Sequence, residues 1–428
     1  MKKVLQTILK ILAQAIVKKY QPQIVGITGS IGKTSTKEAI DWVLKDKFRV
    51  RTSFKNYNNE IGLPLVIIGK ESPQRSLGGW LKVFLYSLRL LIIKSRQYPE
   101  ILILEMGVDR PGDMDYLTKI AKPKIGLITY ISHSHLEYFG NLANIKKEKQ
   151  VLIEKLDSQG LAVLNYDSEL SRSIASVSKA KVLTFGLTPG ADLLAQDIVY
   201  NFSKGGYELS GVNFKLNYQG SIVPVVMKNV MSETAIYAAL AATAVGIQLG
   251  LGVLETAQRL KEFNLPKGRM NLLAGIKHSF LIDDTYNSSP EASLAAVSTL
   301  AKIKIDEAAD KYAVLGEMLE IGSYSEEGHQ LVGRLVATSK IKYLITVGEK
   351  ARDFRRGARQ AGMKDDFIFY FAKPEEAGKF LQDRIKLGDV ILVKGSQGAR
   401  MEKIVKELMA EPDLAPQLLV RQGQEWSD

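Results

Sequence analysis

A chain of 428 residues, at roughly 100–200 residues per domain, holds two to four domains. Its 46% hydrophobic and 24% charged residues are ordinary for a globular protein with real cores. There is no cysteine, which excludes disulfides and Cys-ligated zinc, and the four histidines (His133, His135, His278, His329) are too few for a histidine-rich metal cage. The net charge of +12 favours anionic partners such as nucleotides, nucleic acid or anionic lipid, although a basic surface without a specific partner explains it equally.

The opening MKKVLQTILKILAQAIVKKYQPQ begins like a signal peptide, but it lacks a small-residue cleavage site and Lys10 interrupts the apolar run. Val4, Leu5, Ile8, Leu12, Ala15 and Ile16 share one helical face with lysines around it, so residues 1–22 are predicted as an amphipathic helix. WLKVFLYSLRLLIIK, residues 80–94, is similar, and Lys82 and Arg89 make it a poor membrane span. Both stretches fit helices packed on a core, and both fit helices resting on an anionic membrane surface.

From Gln23 strands and helices alternate. IVGITGS reads as a buried strand ending in a Gly-rich loop, TSTKEAIDWVL as a helix and FRVRTS as a strand. EILILEMGV is an apolar strand with Glu105 at its C-terminal end, and KIGLITYI is a strand ending near residues 132–135. NIKKEKQVLIEKL is a helix and GLAVLNYD a strand. This order predicts a parallel sheet covered on both faces. Ligands gather beyond the strand C-termini of such sheets, where Gly29, Glu105, His135 and Asn165 are expected. Residues 191–220 change to short alternations that read as small antiparallel strands, and SETAIYAALAATAVGIQLG is an Ala-rich helix. From about Lys311, strands again alternate with helices in Rossmann-like order, ending in DVILVKGSQGARMEKIVKEL. The predicted fold is therefore α/β. A P-loop central domain over 23–308 carries the parallel sheet and a small antiparallel one, a C-terminal Rossmann-like domain covers 309–410, and 411–428 form a loosely held tail.

GITGSIGKTSTKEAI, residues 26–40, carries the chemistry. Backbone N–H groups of a Gly turn entering a helix point at an anion, and the helix dipole adds to this. Thr28, Gly29, Ser30, Gly32, Lys33, Thr34 and Ser35 make up the predicted triphosphate cradle, with Lys33 bridging phosphates and Thr34 offering a hydroxyl to Mg²⁺. The longer form of the motif needs Gly where Ile27 stands; the shorter T-G-x-x-G-K-T is satisfied. Glu105 is placed to hold the same Mg²⁺, and His135, at the next strand end, is a further candidate ligand. Taken alone, Lys149 is a surface lysine and IDDTYNSSP, with Asp283, Asp284, Tyr286 and Asn287, is a polar turn.

Together these pieces resemble the Mur ligases, the ATP-dependent amide-forming family of peptidoglycan synthesis. The likeness runs from about residue 24 to 408, through TGSIGKTSTKEAI, NNEIGLPL, LEMGVDRPGDM, HLEYFGNLANIKKEK, LNYDSE, PKGRM, DDTYNSSPEASLAAV, VLGEMLEIG and LVKGSQGARME in that order. Within the family, NNEIGLPL, DDTYNSSP, VLGEMLEIG and VKGSQGARME are most similar to the branch that adds D-Ala-D-Ala to the UDP-muramoyl-tripeptide. The resemblance implies a cytoplasmic, ATP-dependent peptide ligase working through an acyl phosphate, on a muramoyl-peptide carboxylate and a small amino acid or dipeptide. It implies two Mg²⁺ ions at Thr34, Glu105 and His135, with Lys149 matching a lysine that is carbamylated in several members and Lys33 among the catalytic residues. Arg269, Asp284 and Asn287 match residues near the nucleotide, carried on the central domain. Asn58 and Asn59 match a substrate-facing loop, and Lys394 and Ser396 match residues near the peptide end.

Three departures qualify the match. Family members of this branch carry a UDP-sugar domain ahead of the loop, whereas 25 residues precede Gly26 here. Thr234 and Ala238 stand where a His and an Asn face the adenine in relatives. Residues 80–94 are an apolar insertion. These departures leave open a lipid-linked acceptor met at the membrane, and a partner chain that supplies the domain. The amidating branch that also lacks the domain carries a Cys₄ zinc ribbon, which zero cysteines weigh against. A non-catalytic ATP-binding scaffold is the alternative outside enzymes. Nucleic-acid binding is not expected, because no reading helix or interleaved aromatic pattern is evident.

Overall fold

A computed structural model describes residues 2–53, 57–132, 136–201, 211–423 and 426. The chain divides into two compact units. The first comprises Met1–Gln196, Lys215–Val225 and Ile236–Leu260, and the second Asp197–Phe214, Val226–Ala235 and Lys261–Asp428.

The first unit is built around β1 (Gln23–Thr28), β2 (Val50–Thr52), β3 (Ile101–Glu105), β4 (Ile125–Ile128), β5 (Leu161–Asn165) and β6 (Lys181–Gly186). Their order is β2-β3-β1-β4-β5-β6, all parallel. The central strands are unbroken apolar runs because helices cover both faces of such a sheet; every residue of β3, β4 and β5 is buried. The helices are α1 (Lys2–Tyr20), α2 (Lys33–Leu44), α3 (Gly62–Ile68), α4 (Leu77–Ile92), α5 (Asp113–Ile120), α6 (Leu136–Phe139) and α7 (Leu142–Glu154). Leu9, Ala13 and Ile16 of α1 share a core with Leu63, Leu102 and Ile153, so α1 is an integral part of the sheet's covering layer. The sheet continues through β7 (Leu193–Asn201), β8 (Gly211–Tyr218) and β9 (Ser221–Lys228). β8 and β9 are joined by the two residues 219–220, and so short a connection makes an antiparallel hairpin, as the alternation over 191–220 predicts.

The second sheet holds β10 (Asn271–Ala274), β11 (Phe280–Asp284), β12 (Lys311–Gly316), β13 (Tyr343–Val347), β14 (Ile368–Phe371) and β15 (Val390–Lys394), in the order β10-β11-β15-β12-β13-β14. Only β10 runs antiparallel to its neighbour. Two expectations change here. The boundary expected at 308/309 does not coincide with the division of the chain, because β11 lies beside β15, with Asp284 opposite Lys394, and thus belongs to the C-terminal sheet. Of the residues expected to form a loose tail, several of those described are held. Ala415 and Leu419 are in the core of the second unit, and Arg421 is 5% exposed and ion-paired at 2.7 Å with Glu402, itself 1% exposed.

Candidate active site

In the first unit, β1 delivers the chain at its C-terminal end into residues 29–32, and α2 begins at Lys33. Gly29 (φ 147°) lies so close to β4's exit that a Cβ would sit 1.9 Å from Thr129 Oγ1. That hydroxyl donates to the carbonyl of Ile31 at 2.5 Å. Ser30 fastens the loop to the same strand end, its hydroxyl donating to Ser132 O (3.1 Å) and accepting from Ser132 N (3.0 Å). Thr28, fully buried, donates to Met106 O at 2.9 Å and ties β1 to β3's exit. Gly32 (φ 83°) is the N-cap of α2 and provides no side-chain acceptor. The N-terminus of α2 therefore carries no side-chain cap, the setting in which a helix start receives an anion, and Ser35 is buried behind it. Tested on its geometry, the loop fits a phosphate group: Gly29 lets it lie flat against β4's exit, where a Cβ would meet Thr129 and Tyr130, and no side-chain cap competes for the helix terminus.

Three side chains converge beside the loop. Thr34 Oγ1 donates to Glu105 Oε2 and Asn58 Nδ2 to Glu105 Oε1, both at 3.2 Å. Glu105 is 3% exposed, so its two oxygens are desolvated and held by neutral donors. Lys33 Nζ donates back to Gly29 O at 2.8 Å. Lys149, on α7 and 2% exposed, is buried, not a surface residue. Burial, aided by the nearby charge of Lys33 and opposed by Glu148 and Asp109, lowers its ammonium from the usual lysine range to about 7. Glu148 turns away and accepts from the backbone N–H groups of Gly112 (2.9 Å) and Met114 (2.7 Å), capping α5. His135 lies outside the described residues, and among the described residues no cluster of three acidic or histidine side chains could hold a metal ion. A divalent cation here would draw on the Thr34 and Glu105 oxygens.

Asn58 and Asn59 part company. Asn58 belongs to Glu105, whereas Asn59 Oδ1 accepts from Ile61 N and Gly62 N at 3.2 and 2.9 Å and shapes the entry to α3. Asn59 is exposed, and its side-chain oxygen is used locally. Sequence reasoning missed Thr129 and Ser132, which fix the loop. Their only signal is their place after an apolar strand.

In the second unit, the expected nucleotide-side and peptide-side residues form one cluster. Asp284 Oδ2 pairs with Lys394 Nζ at 2.7 Å, both nearly buried. Lys394 also donates to Asn287 O at 2.9 Å, and Asn287 Oδ1 accepts from Ser288 N at 2.8 Å. Ser396 Oγ donates to Ser288 O (3.2 Å) and accepts from Leu319 N (2.8 Å). Asp284 and Asn287 are thus carried by the C-terminal sheet and the loop after it, not by the central domain, because β11 pairs with β15. Arg269 stacks its guanidinium 4.1 Å from the Tyr286 ring, and its buried Nε has no hydrogen-bond partner among the described residues. Missed altogether was Arg421, which donates to Thr285 O (2.5 Å) and Tyr286 O (3.2 Å) and so holds this loop from behind.

The model of the Mur ligase middle domain matches residues 27–73 and 86–246, and that of the Mur ligase glutamate ligase domain matches residues 268–397. The chain belongs to the Mur ligase family. It is 28% identical over 407 residues to the UDP-N-acetylmuramoyl-tripeptide–D-alanyl-D-alanine ligase of Bacillus subtilis, covering 95% of this chain and 80% of that one. To the protein of the same name from Synechocystis it is 30% identical over 389 residues, covering 91% and 75%. Among solved structures, MurF from Thermotoga maritima in complex with ADP matches with TM-score 0.75 and 27% identity, over 94% of this chain and 83% of that one. MurF from Acinetobacter baumannii matches in fold with TM-score 0.76 at 24% identity, over 94% and 79%. The chain is a MurF-like, ATP-dependent ligase that forms peptide bonds. The second domain match begins at residue 268, as the structural division does within a few residues.

Proposed function

We propose that this ligase joins D-Ala-D-Ala, or a similar small amine, to the terminal carboxylate of a muramoyl-tripeptide at the expense of ATP. The acceptor carboxylate attacks the γ-phosphorus, giving an acyl phosphate and ADP. The amine then attacks the acyl carbon, the C–O bond to phosphate breaks, and the amine proton leaves to solvent. The observation that carries this reading is the meeting of Thr34 and Glu105 at 3.2 Å beside an uncapped helix N-terminus. The names of the relatives supply the substrate class.

The chain's own groups have defined tasks in this reading. The α2 N–H groups and Lys33 orient the triphosphate and neutralise its charge. Thr34 and Glu105 would hold Mg²⁺, with His135 as a further ligand; when bound, the cation stabilises charge on the transferring phosphoryl group. Asn58 keeps Glu105 turned toward the loop. Lys149 is the residue for a carbamate, since a lysine near 7 presents a neutral amine that adds to CO₂ with loss of one proton. The resulting carboxylate would serve a second cation. In the second unit, Arg269, Asp284 and Asn287 are candidates for the nucleotide and Lys394 and Ser396 for the peptide end, as the family resemblance implies.

Coupled phosphate release with ATP, Mg²⁺, UDP-muramoyl-tripeptide and D-Ala-D-Ala tests the reading. Release requiring both acceptor and amine is expected. Release without either would leave only an ATPase, and release with a different acceptor alone would reassign the substrate. Carbon-13 NMR with labelled bicarbonate should show a carbamate signal that Lys149→Gln removes; its absence from active enzyme would end that part.

A further inference from the structure

α4 is apolar on two faces. Val83, Ser87 and Leu90 are buried against the first unit. Leu77, Leu81, Leu85, Leu88 and Ile92 are 48–86% exposed. Their spacing of four, four, three and four residues puts these five in one stripe along the helix. Single exposed leucines are normal on a protein surface; an aligned row is not. α1 repeats the arrangement, with Val4, Ile8 and Ile11 40–63% exposed opposite the buried Leu9, Ala13 and Ile16. The two helices are joined at their C-terminal ends. Lys19 Nζ donates to Leu90 O (2.9 Å) and Leu91 O (2.8 Å), and Tyr20 Oη to Leu90 O (3.0 Å).

Within the two segments that carry the stripes, charge has one sign. Residues 1–37 contain no aspartate or glutamate, and neither do residues 72–99, which hold Arg75, Lys82, Arg89, Lys94 and Arg96. All five are exposed. On α4, Lys82 and Arg89 fall along one border of the apolar stripe, where long basic side chains reach the headgroup level of a bilayer while leucines enter the acyl boundary. At 16 residues α4 is about 24 Å long, too short to span a bilayer of about 30 Å, and no described helix is long and apolar enough to cross one. The family's middle-domain model passes over residues 74–85, which hold Leu77, Leu81 and Leu85 of the stripe, and resumes before Leu88 and Ile92.

We infer that the α4 stripe, with the neighbouring face of α1, docks the enzyme on an anionic lipid surface. Charge complementarity selects this occupant over a second copy of the chain, which would bring +12 against +12. The inference is independent of which acceptor the ligase uses.

Co-sedimentation of the full chain with phosphatidylglycerol-containing and pure phosphatidylcholine vesicles tests it. Binding to the anionic vesicles that weakens with salt is expected, with little binding to the neutral ones. Leu81→Glu/Leu85→Glu should lower partitioning roughly tenfold or more per substitution, leaving Tm and phosphate release with soluble substrates unchanged. Lys82→Glu/Arg89→Glu, which retains the apolar stripe, should remove the preference for anionic lipid. No binding to anionic vesicles would overturn the inference, as would equal binding to neutral ones. So would a dimer, seen by light scattering, that the leucine substitutions abolish.

Discussion

Arg421→Met tests whether the last residues are structural. The substitution keeps much of the apolar stem and removes the guanidinium. It deletes the 2.7 Å ion pair with Glu402 and the bonds to the carbonyls of Thr285 and Tyr286. Glu402 is 1% exposed, so losing a partner leaves a desolvated charge, and breaking such a pair costs about 3–5 kcal/mol. Arg400 still holds Glu402 Oε1 at 2.7 Å, which moves that cost to about 3 kcal/mol. Two abandoned carbonyls add about 1 kcal/mol each if no water reaches them. For a unit of this size, about 2–4 °C per kcal/mol turns the total into a fall in Tm of about 10 °C or more by scanning calorimetry. Proteolysis within residues 411–423 should rise in parallel. A change below about 2 °C with unaltered proteolysis would refute the reasoning and return these residues to the status of a tail.

Three further outcomes are expected. Gly29→Ala drives a methyl to 1.9 Å from a Thr129 hydroxyl already engaged by Ile31 O, so ATP affinity by calorimetric titration should fall sharply and stability should drop by about 2–3 kcal/mol. Glu105→Gln preserves shape and its acceptor for Thr34 but removes the charge; phosphate release should fall about 100-fold or more with little change in Tm, and a smaller loss would argue against cation binding there. Asp283 is fully buried, its Oδ2 has no hydrogen-bond partner among the described residues, and burial raises its carboxyl from 3.8 to about 6. Between those values the folded state holds more protons than the unfolded, so this group's contribution to stability is lost as pH rises from about 4 to about 6. Denaturant titrations should therefore show wild type losing up to about 3 kcal/mol relative to Asp283→Asn over that window; parallel curves would show that the carboxyl does not titrate there.

What could be read from the sequence was whatever one short segment determines by itself. A buried strand, a Gly turn and a helix start make the phosphate loop over residues 26–40, and Thr34 meets Glu105 because the first lies at the start of α2 just past β1 and the second at the exit of the adjacent β3, positions that the apolar runs define. What escaped depends on distant partners. LIDD reads as a buried strand in any sheet, and only its pairing with β15 shows that Asp284 belongs with Lys394 in the second unit. Arg421 lies in the stretch read as a loose tail, since Glu402 and the Thr285 carbonyl that hold it lie 19 and 136 residues away. Asn59 could not be told from Asn58 by spacing, and the direction each takes is set by Glu105 on one side and the start of α3 on the other.

α4 shows the same limit in another form. Periodicity assumes one apolar face, and a helix with one such face is either in the core or on a membrane. The sequence between residues 77 and 92 carries two apolar arcs, one ending in buried Val83 and Leu90 and one in exposed Leu81 and Leu88, with Lys82 and Arg89 bordering the second. The two readings of this stretch were therefore never exclusive. The inner arc is spent on the fold, and the outer arc is apolar surface that the fold leaves uncovered, beside cations that suit only an anionic partner.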